Sequence, residues 1–110
     1  MIHLRPEEEQ LLRDILATYV PTHEVLAFGS RVTGRVKPMS DLDLCIIDEP
    51  AVTNAQRARL ADAFSESPLP FKVDVVYWSD ASRRFLQIIE QSAIPFSQSH
   101  RGKWTEKAAE

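Results

Sequence analysis

The sequence predicts an α/β (α+β) fold, a small mixed β-sheet flanked by helices. Three observations lead there. Apolar residues repeat at helical spacing after Pro6, short apolar or alternating runs recur at 24–28, 41–47 and 71–78, and helix-type segments stand between and after those runs. At 110 residues the chain is long enough for one core but not for a second substrate domain. Residues 1–100 are expected to form that single domain and 101–110 a loose, flexible tail.

In "RPEEEQLLRDILATYVP" Pro6 suits a first helical position, Glu7, Glu8 and Glu9 complement the positive end of the helix dipole, and Pro21 stops the run. Leu11, Leu12, Ile15, Leu16 and Tyr19 form its apolar stripe. "EVLAF", closed by Gly29, reads as a buried strand, and "DLDLCII" as a second one with alternation. The intervening "GSRVTGRVKPMS" is a loop with room for one helical turn. Thr53 or Asn54 caps a helix through about Phe64, with Ala58, Leu60, Ala61 and Phe64 inward, and "SESPLP" breaks it. "FKVDVVYW" is a third strand, with Val73, Val75 and Tyr77 on one side and Asp74, Val76 and Trp78 on the other. Ser79 or Asp80 caps a last helix carrying Phe85, Leu86, Ile88 and Ile89. "IPFSQ" then adds a short edge strand, since Pro95 is tolerated only at an edge or a bulge.

Composition sets outer limits on function. With 44% hydrophobic and 26% charged residues and a net charge of −3, the chain has no global basic field to draw it onto nucleic acid, and no direct nucleic-acid binding is expected. The single Cys45 excludes an intrachain disulfide and a cysteine-based zinc site. No basic and apolar leader opens the sequence and no apolar run approaches the roughly 20 residues that span a bilayer, so a cytoplasmic location without membrane contact is expected.

The chemistry is concentrated in "FGSRVTGRVKPMSDLDL". An unpaired carboxylate within a strand is expensive, and two on one face need a reason. Asp41 and Asp43 share a face with Cα atoms about 6.5–7 Å apart, while Leu42, Leu44 and Ile46 occupy the other face and fix the register. Like charges this close repel unless a cation compensates. Magnesium, with its preference for carboxylates, waters and substrate phosphates, is the natural one. Two such ions about 3.5–4 Å apart serve in-line displacement at phosphorus, which calls for a third carboxylate. Asp74, the acid flanked by apolar residues in the third strand, is the candidate. Gly29 and Ser30, at the end of the first strand, offer a close backbone approach, N–H groups and a hydroxyl to phosphate oxygens.

The combination of Gly29-Ser30, ten intervening residues, Asp41-x-Asp43 and a later Asp74 on a strand resembles the DNA polymerase β-like nucleotidyltransferase superfamily. The short length resembles its minimal nucleotidyltransferase (MNT) branch. The resemblance spans about Val25 to Trp78 and implies the polymerase β palm-like nucleotidyltransferase fold. It also implies transfer of a nucleoside monophosphate, AMP from ATP in the first instance, to a hydroxyl. Asp41, Asp43 and Asp74 would be the catalytic residues and the ligands of two magnesium ions, with Asp74 also helping to remove the acceptor's proton. Gly29, Ser30 and Arg31 would bind the triphosphate, although Arg31 reads equally well as a solvated arginine at a turn. Arg35 and Lys37 in the same loop serve solubility just as readily. By the same analogy the chain is an antitoxin, possible hetero-oligomer with a HEPN-type toxin, that adenylylates a tyrosine of that toxin.

Plainer readings stand beside these. Cys45 is expected to be a small buried hydrophobe. His3, His23 and His100 lack metal-ligand spacing, and Trp78 and Trp104 are expected to pack. An antitoxin that neutralises its partner by binding alone is the rival function. Glycosyltransferases with Asp-x-Asp need a larger domain, and in aspartate phosphatases Gly-Thr follows the pair where this chain has Leu44-Cys45.

Overall fold

The computed structural model describes residues 4–29 and 41–98. Helix α1 (Pro6–Tyr19) leads into strands β1 (Glu24–Phe28) and β2 (Leu42–Ile47). Helix α2 (Asn54–Ser65), strand β3 (Val73–Tyr77), a 3-10 turn (Trp78–Asp80), helix α3 (Arg83–Ser92) and strand β4 (Ile94–Gln98) follow. The predicted fold class and element order hold, and the loop 30–40 and the tail lie outside the described residues.

The four strands form one mixed sheet in the order β3-β2-β1-β4. β1 runs antiparallel to both β2 and β4, and β2 and β3 are parallel, as befits two strands joined by a helical crossover. β4 is an edge strand and its pairing carries a register irregularity beside Val25 and Leu26, which accommodates Pro95 as expected.

Two apolar layers flank the sheet. On one face Leu12 and Leu16 of α1 and Leu60 and Phe64 of α2 pack on Val25, Ala27, Leu42, Leu44 and Ile46. On the other, Ile89 of α3 packs with Leu26, Phe28 and Cys45, while Phe28 and Phe85 meet edge to face at a centroid distance of 5.7 Å. The strand alternation read from the sequence therefore produces three layers, α1 and α2, the sheet, and α3.

The ends of the helices follow local chemistry. Glu8 accepts from the Arg5 N–H at 2.9 Å where α1 begins. In α2 the Thr53 hydroxyl accepts from the Gln56 N–H at 3.1 Å while the Gln56 side chain accepts from the Thr53 N–H at 2.9 Å, a reciprocal cap. Two expectations are corrected. Ala58 and Ala61 are exposed, because α2 is rotated to bury Leu60 and Phe64 and to lay Arg57 over the Tyr77 ring at 3.9 Å. The last helix is capped by Ser82, whose hydroxyl accepts from the Phe85 N–H at 3.1 Å, and not by Ser79 or Asp80. Ser79 and Asp80 are engaged elsewhere: Ser79 donates its N–H at 2.9 Å and its hydroxyl to Asp48, and Asp80 receives Arg57 at 2.5 Å. On that helix Ile89 is buried but Ile88 is exposed.

His23 is buried at the start of β1 with Nε2 2.6 Å from the Pro50 carbonyl. A carbonyl only accepts, so Nε2 carries the proton and the ring is a structural tie.

Candidate active site

The antiparallel β1–β2 pair and the parallel β2–β3 pair bring one end of β1 and the opposite ends of β2 and β3 together. Phe28 faces Asp43 across the first pair, and Asp43 faces Asp74 across the second. Register partners on adjacent strands lie about 5 Å apart at Cα with side chains on the same face. Asp43 and Asp74 are thus neighbours by backbone geometry, with Asp41, exposed, one residue before β2.

Gly29 closes the arrangement from the β1 side. Its φ of 85° lies in the region that favours glycine, and a Cβ there would overlap Asp43 Oδ2 and stand 3.1 Å from its Cγ. The backbone after β1 therefore rests directly against the Asp43 carboxylate. Ser30 and Arg31, together with Arg35 and Lys37, lie outside the described residues.

Electrostatics record the crowding. Burial, first, and then the charges of Asp74 and Asp41 push the Asp43 carboxyl above its ordinary range. Lys72, two residues before Asp74 and on the same side of the strand, places its ammonium 3.5 Å from Asp74 Oδ1. Both side chains are well exposed, so this pair adds little stability, but it sets one cation at the acid cluster. The sequence reading passed over Lys72, and its parity with Asp74 was the available signal.

The sheet face that carries the acids is divided. At Cys45 it is covered by α3, and the acids occupy the part that α3 leaves open. Cys45 is fully buried and its thiol is pushed up to about 11, chiefly by burial, as suits a small core residue. Trp78 packs partly buried in the same layer, as expected, while His3, His100 and Trp104 lie outside the described residues. Among the described residues no three acid, histidine or cysteine side chains already stand as a metal cluster, and no helix is long and apolar enough to cross a membrane. The donor set nevertheless fits magnesium. It consists only of hard oxygens, includes a partly desolvated carboxylate, and magnesium needs one or two carboxylates when phosphates supply the rest.

A family model described as polymerase beta, nucleotidyltransferase, matches residues 10–101. The chain belongs to the polymerase beta nucleotidyltransferase family. It is 40% identical over 100 residues, 91% of this chain and 88% of the relative, to a Haemophilus influenzae protein named "Probable protein adenylyltransferase MntA". Among solved structures, a chain from a toxin-antitoxin complex with AMP-PNP matches with a TM-score of 0.69 at 23% identity over 84% of this chain and 75% of the other. A chain from the complex of tri-AMPylated Shewanella oneidensis HEPN toxin with MNT antitoxin matches with a TM-score of 0.64 at 19% identity over 92% and 79%. These two likenesses are of fold. The family match and the identity to MntA make this chain a nucleotidyltransferase.

Proposed function

We propose that this chain transfers AMP from ATP to a tyrosine hydroxyl of a HEPN-type toxin and so acts as an antitoxin in the cytoplasm. The observation that carries the chemistry is the facing of Asp43 and Asp74 across β2 and β3, with Asp43 held against Gly29. The identity to MntA supports protein as acceptor and AMP as the group moved, and the complexes of like fold, one with AMP-PNP and one with AMPylated toxin, support donor and partner.

In this reading the backbone at Gly29, the Ser30 hydroxyl and the Arg31 guanidinium hold the triphosphate against the end of β1. Asp41, Asp43 and Asp74 would hold two magnesium ions, which would supply charge neutralisation for the triphosphate and the leaving pyrophosphate. Asp74 orients the acceptor hydroxyl and takes its proton. The hydroxyl oxygen forms a bond to the α-phosphorus while the bond from that phosphorus to the bridging oxygen breaks, and pyrophosphate leaves with the electron pair. Positioning and electrostatics carry such a transfer, so no covalent enzyme intermediate is needed.

The test incubates the purified chain with the protein encoded beside it, magnesium and each nucleoside triphosphate, and reads the intact mass of both proteins. A gain of AMP on the neighbour with ATP, absent for Asp41→Asn/Asp43→Asn, is the expected result. Neutralisation of the toxin by that double variant, with no mass gain, would establish neutralisation by binding alone.

A further inference from the structure

The sheet has two outer strands, and among the described residues only β4 is guarded. β4 carries Pro95, an irregular register and the Arg13 side chain, which donates to the Phe96 carbonyl at 2.7 Å and lies over the Phe96 ring at 4.7 Å. β3, with the sequence VDVVY, has no proline and no bulge. Flat, apolar, unprotected edges invite another strand, and folded proteins ordinarily blunt them.

The orientation of the β3 backbone follows from one bond. The Lys72 carbonyl accepts from the Leu42 N–H at 2.9 Å, so Lys72, Asp74 and Val76 turn their main-chain groups toward β2. Val73, Val75 and Tyr77 turn theirs outward. Among the described residues nothing pairs with them. All five β3 residues are only half-buried although four are apolar or aromatic, whereas Leu42, Leu44 and Ile46 of the adjacent strand are fully buried.

A cavity lies on each face of this edge. One of about 680 Å³ opens toward α2 over Leu60, Phe64 and Phe71, and one of about 520 Å³ opens toward α3 over Val76, Ala81 and Phe85. They share Arg57, Val75 and Tyr77. An added strand sends alternate side chains to opposite faces, which is the pattern these two cavities would receive.

We infer that the acceptor docks as an extended polypeptide segment on the open edge of β3, presenting its hydroxyl residue on the face that carries Asp74. The inference rests on the AMP-transfer reading and specifies how its protein substrate is recognised. Asp74 belongs to the edge strand itself, so a fifth strand about 5 Å away delivers a side chain to the acid cluster without crossing the sheet. The residue two further along falls in the α3-side cavity, and the residues between fall toward α2. Lys72, exposed at the entry to this edge, sets a positive charge there that would favour an acidic residue beside the hydroxyl. A second copy paired through the same edge would cover Asp74 in both molecules.

The test uses the full chain and the HEPN-type protein encoded beside it. Val75→Pro removes an outward N–H that no described residue accepts, and Ala61→Glu places a charge in the α2-side cavity from an exposed helix position. Amide exchange at Val75 and Tyr77 is expected to slow on complex formation, and each variant is expected to raise the apparent KM for the protein acceptor about tenfold or more. Affinity for an ATP analogue should stay within about twofold. If Val75→Pro fails to fold, Ala61→Glu and exchange in the unaltered chain decide. Unchanged KM and unprotected edge amides in a complex that still transfers AMP overturn the docking mode and leave the transfer reading intact. Absence of AMP on the partner with the unaltered enzyme overturns both. Protection that arises in the chain alone and grows with its concentration assigns the edge to a second copy and also overturns the inference.

Discussion

Gly29→Ala probes the closest approach in the site. An alanine at a positive φ costs about 1–2 kcal/mol in backbone strain. Its methyl would also overlap Asp43 Oδ2 and stand 3.1 Å from Cγ and 3.3 Å from Cβ of the same side chain. β2 is paired on both sides, so its backbone cannot retreat, and the carboxylate must rotate away. A misplacement of about 1 Å at a reacting centre costs about 100-fold in rate, or about 2.7 kcal/mol. Stability falls by the backbone strain alone, lowering Tm by about 4–8 °C for each kcal/mol. Pyrophosphate release in the presence of the protein acceptor measures the first quantity and a thermal melt the second. Gly29→Ala/Asp43→Ala, which removes the overlap, should be inactive yet melt no lower than Gly29→Ala. A Gly29→Ala enzyme within about threefold of full turnover would refute the reasoning.

Other expectations concern the network at the far end of the strands. Burial alone would raise the Asp48 carboxyl, but the Ser79 hydroxyl and N–H and the Arg57 guanidinium outweigh it and hold it below its ordinary 3.8. The native state therefore binds fewer protons there than the unfolded chain. The stabilisation is present above pH 3.8 and is lost as pH falls below it, so the stability gap between the native protein and Asp48→Asn should shrink in acid denaturation series. Arg57→Met removes the cation over Tyr77 and the bonds to Asp80 and Asp48, and urea unfolding should show a loss of about 2 kcal/mol. Cys45, fully buried with its thiol pushed up to about 11, should resist a maleimide at neutral pH in the folded chain and react once it is unfolded.

The strands and the acid pair were legible because both are local. The alternation of Asp41 to Ile47 gives face and register together, and Pro95 marks its own edge. The inward side of α2 was misread because alanine carries too little apolar area to choose a face. Leu60 and Phe64 chose it, with the Arg57 guanidinium over Tyr77. The Ser79 cap failed because Asp48, 31 positions earlier, claims that serine, and no short-range pattern reports such a bond. Sheet order and the mixture of parallel and antiparallel pairs were likewise invisible, being set by how the helices cover the two faces.

The site is assembled from two kinds of connection. Gly29 and Asp43 meet through neighbouring antiparallel strands, while Asp74 is returned to them by a crossover through α2 that restores one register. Foreign sequence spliced at the exposed Pro68 should thus leave the acid cluster and ATP binding intact, although it would disturb the acceptor cavity that Ser67, Leu69 and Phe71 line. A single residue inserted between Val73 and Asp74 would instead turn the third aspartate into the core layer and silence the enzyme, so this chain is open to grafting at one point and intolerant six positions later.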